Sequence, residues 1–376
     1  MIYLDYAANT PVAEEVLQVF CEYNRTYIGN PNSYHSAGYQ AKDAMEQVTE
    51  NIANLLKVKS TEIIYTSGAS ESNNTAIKGI ASTYRQKGKH IITTVLEHSS
   101  VSGAFTSLQT MGYEIDLCDL DSDGRINLVH LKELLRNDTI LVAISMVDSE
   151  LGIIQPMDQI KALLKEYPNC HLHVDATQAI GRIPVEFEGI DTMSFAPHKF
   201  FGINGCGILV KKEGLVIEPL IHGGASTTVY RSGTPAIALA ASIEVALRRA
   251  FDHRESQWEH VTKLMNQLKE QLGTYPFVRL NSTSYSVPHI INLSVRGVKA
   301  TQMQEELDKR GICISTKSAC SVKNSPSRAV YAVTKDKKNA MYSFRISISE
   351  LTTGEEIEQF LKCLHECYQV LTKERV

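Results

Sequence analysis

The chain contains no run of 18 consecutive apolar residues, and its first residues, Met1-Ile2-Tyr3-Leu4-Asp5, lack the basic and then apolar layout of a secretory leader. No spanning helix and no signal peptide is read here, and a cytoplasmic location is expected. Eight cysteines, at positions 21, 118, 170, 206, 313, 320, 363 and 367, include no Cys-x-x-Cys pair, so neither a zinc site nor a disulfide framework is expected. The nearest approach to a metal motif is Cys363-Leu364-His365-Glu366-Cys367, two cysteines one turn apart on a helix, which reads as two small packing residues. The formal charge of -4 is too slight to point to nucleic acid or an anionic membrane as partner. Internal repeats and low-complexity segments are also missing.

What is present is an ordinary globular composition, 43% hydrophobic and 21% charged. At about 150 residues per domain, 376 residues suggest two domains or one large one. Short apolar runs at 62–66, 90–94, 139–144, 171–175, 192–195 and 207–210 alternate with amphipathic stretches such as 70–86 and 157–167. This alternation predicts an α/β body with a mostly parallel sheet flanked by helices. The stretch 236–272 is free of Gly and Pro after its start and reads as one long connecting helix. Beyond it, strands at 290–295, 313–315 and 343–348 and helices at 300–310 and from 354 onward predict a smaller α+β domain.

Three constellations carry chemistry. Thr66-Ser67-Gly68-Ala69-Ser70-Glu71-Ser72-Asn73-Asn74 follows a strand and opens a helix, where small residues and free N–H groups suit a phosphate, although a plain serine cap would look the same. His171-Leu172-His173-Val174-Asp175 puts an acid at the C-terminal end of a strand, the edge where α/β sheets collect ligands; a turn or helix cap is the ordinary alternative. Phe195-Ala196-Pro197-His198-Lys199-Phe200-Phe201 sets a lysine among apolar neighbours, which lowers an amine's pKa and favours the neutral nucleophile. A snorkelling or paired lysine is the competing reading. Together, a phosphate cradle, an acid for a ring nitrogen and a reactive lysine match the needs of pyridoxal 5'-phosphate.

With Tyr3-Leu4-Asp5-Tyr6-Ala7-Ala8, Gly29-Asn30-Pro31, Glu97-His98, Val174-Asp175-Ala176-Thr177-Gln178, His198-Lys199, Arg231-Ser232-Gly233-Thr234, Ser318-Ala319-Cys320 and Ser343-Phe344-Arg345, the chain resembles the NifS/IscS cysteine desulfurases, class-V aminotransferase-like enzymes of fold type I, nearly end to end. The resemblance implies a large cofactor-binding domain over residues 12–255 and a small domain joining 1–11 to 256–376. It implies Lys199 as the lysine that binds the cofactor aldehyde, His98 stacked on the ring and handling protons, Asp175 on the pyridine nitrogen and Gln178 on the phenolic oxygen. Ala69, Ser70 and His198 match phosphate-binding positions. Thr234 matches a hydroxyl contributed by the neighbouring subunit, hence a homodimer. Arg345 matches the arginine that grips the carboxylate of L-cysteine, a task suited to a guanidinium fork. Cys320 matches the thiol that takes up sulfur as a persulfide and passes it to an acceptor protein, as in iron-sulfur cluster assembly or thiolation. Its neighbours Lys317 and Lys323 favour the thiolate, and the small, polar stretch 315–327 around it reads as a mobile loop.

Several positions depart from the family pattern. Ser149 stands where an asparagine precedes the glutamate of the family's Asn-Glu-x-Gly, Ala196 replaces a phosphate-binding serine, and Gly202-Ile203-Asn204-Gly205 replaces Gly-Pro-Lys-Gly. Ser226-Thr227, Lys317 and Ser349-Glu350 depart likewise. These predict cofactor binding weaker by about 1 kcal/mol for each neutral hydrogen bond lost. Two other functions compete: a selenocysteine lyase or another lyase or aminotransferase using the same cofactor, and a degenerate fold acting as a scaffold for sulfur-transfer partners.

Overall fold

The computed structural model describes residues 1–316 and 325–373. Its centre is a seven-stranded sheet in the order Ile63–Thr66, Gly207–Lys211, Thr192–Phe195, His171–Asp175, Thr139–Ser145, His90–Thr93, Glu114–Leu117. The four pairings from Thr192–Phe195 to Glu114–Leu117 are parallel; the two involving Gly207–Lys211 are antiparallel. All seven residues of Thr139–Ser145 are buried, as expected of a strand covered on both faces. From Leu141 to Ile144 its side chains alternate between the two apolar layers that cover the sheet. Val142 and Ile144 join the layer completed by Met45, Val48, Ile52, Leu247 and Ala250, while Leu141 and Ala143 join Ile77, Ile80, Val101 and Phe105.

A second core gathers Leu4 with Val261, Leu264, Leu268, Leu293, Met303, Phe344, Phe360 and Leu364. It packs around an antiparallel sheet in the order Ser343–Ser347, Ile290–Val295, Val278–Leu280. Cys363 and Cys367 are buried within it, and among the described residues no group of side chains has the makings of a metal site. The strand Ile2–Tyr3 pairs in parallel with Ile312–Cys313, so the start of the chain is built into its far end.

The long helix expected over 236–272 is two helices, Ile237–Asp252 and Arg254–Gly273, meeting at His253 (φ -101°, ψ 2°). The polar run Asp252-His253-Arg254-Glu255 offers no apolar stripe to continue. The break lets Ala246 and Leu247 face the first core while Val261, Leu264 and Leu268 face the second.

Candidate active site

The C-terminal ends of the parallel strands open on a cavity of about 350 Å³, lined among others by Gly68, His98, Asp175, Gln178, Lys199 and Arg345. A wider groove of about 840 Å³ lies beside Tyr34, Lys42, Glu46 and Thr227, and none of the residues expected in the site lines it.

One wall is the start of the helix Ala69–Tyr84. Its cap is Gly68, at φ +153° and ψ 174°, without a side-chain hydrogen bond, so the serine cap considered from the sequence is not what begins this helix. That backbone region is open essentially to glycine alone. A Cβ on Gly207 would come within 2.6 Å of the Gly68 Cα, so the neighbouring strand also requires glycine where it passes. The result is a helix mouth with no side chain at its cap and first-turn N–H groups that lack intrahelical acceptors. Gly68→Ala is expected to cost about 1–3 kcal/mol through backbone strain; a urea midpoint shift on the purified variant checks it.

Opposite stands Asp175, the last residue of its strand. Its Oδ1 accepts from the Thr177 N–H at 3.0 Å and its Oδ2 from the Asn73 side-chain amide at 2.8 Å. Lys199 follows the next strand in a short 3₁₀ turn, Pro197–Lys199. Its Nζ donates to the carbonyls of Ala7 (2.9 Å) and Ala8 (2.6 Å). Burial, with the charges of Arg345 and Arg182 adding to it, pushes the Lys199 amine down to about 8. His198 is pushed down to about 4 by burial and by Lys199. Gln178 donates from Nε2 to the Ala7 carbonyl at 2.8 Å and accepts from Arg182.

His98 caps the helix Ser99–Thr110, accepting at Nδ1 from the Ser100 N–H. Burial lowers its pKa, with Asp175 opposing and Lys199 reinforcing. Beside it, Glu97 accepts from the hydroxyls of Thr94 and Ser145, and burial pushes it up to about 8. Arg345 closes the far side. It is 2% exposed, donates to Asp5 Oδ1 and to the Ser149 carbonyl, both at 2.7 Å, and its Nε has no partner among the described residues.

The structure thus places Ala69, Ser70, His98, Ser149, Asp175, Gln178, His198, Lys199 and Arg345 around one cavity. Thr234 stands apart, in a neighbouring hollow with Ser67, Arg231 and Gly233. Cys320, Lys317 and Lys323 lie outside the described residues. Ala196 is fully buried and lends no hydroxyl. The sequence reading missed Asn73, Ser100 and His173 as participants, and also the carbonyls of Ala7 and Ala8, which no residue type could have announced. Asn73 stood in the quoted helix-start motif, four residues after Ala69 and so on the same helix face, which was the available signal.

The pattern of the aminotransferase class-V family matches residues 2–360. The chain belongs to the class-V aminotransferase family. Within that family it is 36% identical over 379 residues to the NifS/IcsS protein homolog of Lactobacillus delbrueckii subsp. bulgaricus, covering 99% of this chain and 98% of that one. It is 36% identical over 375 residues to the cysteine desulfurase IscS of Dictyoglomus turgidum, covering 98% and 95%. Among solved structures, one described as a NifS-like protein superposes with a TM-score of 0.91 at 32% identity, covering 99% of each chain. The class-V assignment accords with the large sheet, whose strand ends carry the cavity.

Proposed function

We propose that this class-V protein is a cysteine desulfurase. It removes sulfur from L-cysteine, releases L-alanine and leaves the sulfur as a persulfide on Cys320, for delivery to an acceptor protein. The observation that carries the reading is a single cavity holding a buried lysine of lowered pKa, a strand-end carboxylate, a glycine-capped helix mouth and a buried arginine.

The residues fit pyridoxal 5'-phosphate. The Gly68 mouth, with Ala69, Ser70 and His198, would hold a phosphate; Asp175 would hold a pyridine N–H, Gln178 a phenolic oxygen, and His98 would cover the ring. Bound there, the cofactor supplies an aldehyde reactive toward amines and a ring that draws electrons from the substrate's α-carbon. Lys199 does the rest of the proton work. With its pKa near 8, an appreciable fraction is neutral at physiological pH, ready first as nucleophile and then as base toward the α-carbon proton. Arg345 takes the substrate carboxylate through its Nε, which has no partner among the described residues and shares one edge of the guanidinium with the NH2 that also donates to Asp5. The Cys320 thiolate attacks the substrate sulfur: the S–S bond forms, the C–S bond breaks with its electron pair going to carbon, and protonation of that carbon yields alanine.

Thr234, which lines a neighbouring hollow and not its own chain's cavity, serves that of a second copy in a homodimer. Ser149 contributes its carbonyl to Arg345, a contact that any residue there could make, so the departure at this position leaves the arginine supported.

Incubating the protein with L-cysteine and measuring alanine together with persulfide on Cys320 tests the function. Equal amounts in the first turnover are expected. Alanine without persulfide would mark a lyase, and neither product a scaffold. Cys320→Ala should lower alanine formation at least a hundredfold, since an entire nucleophile is removed; near-normal turnover would remove Cys320 from the mechanism.

A further inference from the structure

We propose that Asn73 is the positioning residue of this site: a single buried amide that sets the acceptor side of Asp175 and, through Ser100, the ring proton of His98. The Asp175 half of the inference rests on the pyridoxal phosphate reading above.

Asn73 is fully buried on the helix Ala69–Tyr84. Asp175 Oδ2 lies 2.8 Å from its side-chain nitrogen, and an ionised carboxylate only accepts, so the amide must turn its N–H₂ that way. The second N–H then meets Ser100 Oγ at 2.9 Å. The amide oxygen faces the Ser194 hydroxyl and, at 2.9 Å, His173 Nε2. Burial keeps His173 neutral, with its pKa pushed down to about 4, so it carries one ring proton. That proton sits on Nε2, facing Asn73, while Nδ1 accepts from the Thr192 hydroxyl at 2.9 Å.

Every bond in the array therefore has one direction. The backbone explains how it is assembled. His173 and Asp175 are two apart on one strand, Thr192 and Ser194 two apart on the next, and the registers His173 with Thr192 and Asp175 with Ser194 place all four on the same face, against the helix that carries Asn73.

The consequence reaches both sides of the cavity. With donors from Asn73 and from the Thr177 N–H, Asp175 is held as an oriented acceptor. Ser100 Oγ, already accepting from Asn73, can give its own proton to His98 Nδ1 at 2.9 Å. The Ser100 backbone N–H also points at that nitrogen, at 3.2 Å. Two donors on Nδ1 leave the ring proton of His98 on Nε2, so the neutral ring offers the cavity a hydrogen-bond donor.

Nitrogen-15 spectra of histidine-labelled protein without cofactor, with His98→Gln to assign the signal, test the His98 arm directly. Expected is a neutral ring protonated at Nε2 at pH 7; a ring protonated at Nδ1, or a cation, overturns that arm. Equilibrium titration with pyridoxal phosphate tests the other. Asn73→Ala should raise the dissociation constant at least tenfold, the loss of one hydrogen bond to a charged group, and shift the pH midpoint of the bound cofactor's visible band, which a merely structural role would leave in place. Ser100→Ala should keep the dissociation constant within about twofold while lowering kcat and leaving KM unchanged. Wild-type affinity and band midpoint in folded Asn73→Ala overturn the Asp175 arm. If Asn73→Ala does not fold, Asn73→Asp replaces it: a second carboxylate beside Asp175 should weaken binding more than a hundredfold, and unchanged binding overturns the arm equally. A wild-type protein that takes up no cofactor refutes the function and with it the Asp175 arm, while the ring-proton measurement still decides His98 alone.

Discussion

Lys199→Met is expected to abolish alanine formation from cysteine and at the same time to make the cofactor-free protein more stable at neutral pH. The first effect follows because the change removes both the nucleophile and the base; a loss of at least four orders of magnitude in kcat is expected for a group with two roles. The second follows from linkage. The amine has a pKa of about 8 in the folded chain against 10.5 as its ordinary value, so the unfolded chain holds the proton more tightly. Below pH 8 the folded protein carries the full penalty of a buried ammonium, and between about pH 8 and 10.5 its stability rises as that penalty disappears. At pH 7 the difference corresponds to roughly 3 kcal/mol, an upper figure because the two carbonyl acceptors are lost as well. Urea unfolding of both proteins at pH 7 and pH 10.5 checks it: the variant should be the more stable at the lower pH, with the gap closing at the higher. A variant less stable than wild type at pH 7 would show that the ammonium is well solvated.

Arg345→Ala is expected to lower kcat/KM for cysteine by between about thirtyfold and a few thousandfold. Truncating one member of a buried, hydrogen-bonded charge pair costs on the order of 2–5 kcal/mol, part of it from the partner left behind. Here that partner is the Asp5 carboxylate, 2.7 Å from the guanidinium and mostly buried. The loss should fall chiefly on KM, because the carboxylate is gripped alike before and during reaction. Arg345→Lys keeps the charge but replaces a planar fork by a point, and recovers only a fraction of the affinity. Steady-state kinetics on both variants, at cysteine concentrations well above the wild-type KM, separate the two parameters. A change confined to kcat would place Arg345 outside the carboxylate subsite.

The parts of this architecture that could be read in advance are those where chemistry is local. Thr139–Ser145 announces itself because a strand buried on both faces must be apolar throughout. Glu114–Leu117 went unread because it is the sheet's edge, half exposed, and its four residues Glu-Ile-Asp-Leu alternate polar with apolar and form no apolar run. The break at His253 was hidden because no Gly or Pro marks it; two separate cores dictate it. At the site, Lys199 and Asp175 were legible from their neighbours. Asn73 was not, since an asparagine at the start of a helix is ordinary until the strand that faces it is known. Asp5 was quoted for its motif, but its bond to Arg345 spans 340 residues and leaves no trace in spacing.

That span sets a schedule for biosynthesis. Asp5 meets Arg345, and the Ala7 N–H meets the Ser347 hydroxyl, each across 340 residues. At 5–20 residues added per second, the opening segment waits roughly 20 to 70 seconds for its partners to leave the ribosome. Until then the Ala7 and Ala8 carbonyls that hold Lys199 have no anchor at the chain's far end. The pocket wall can close only when the last strand of the small sheet arrives, so the cavity is complete only after residue 347 has emerged.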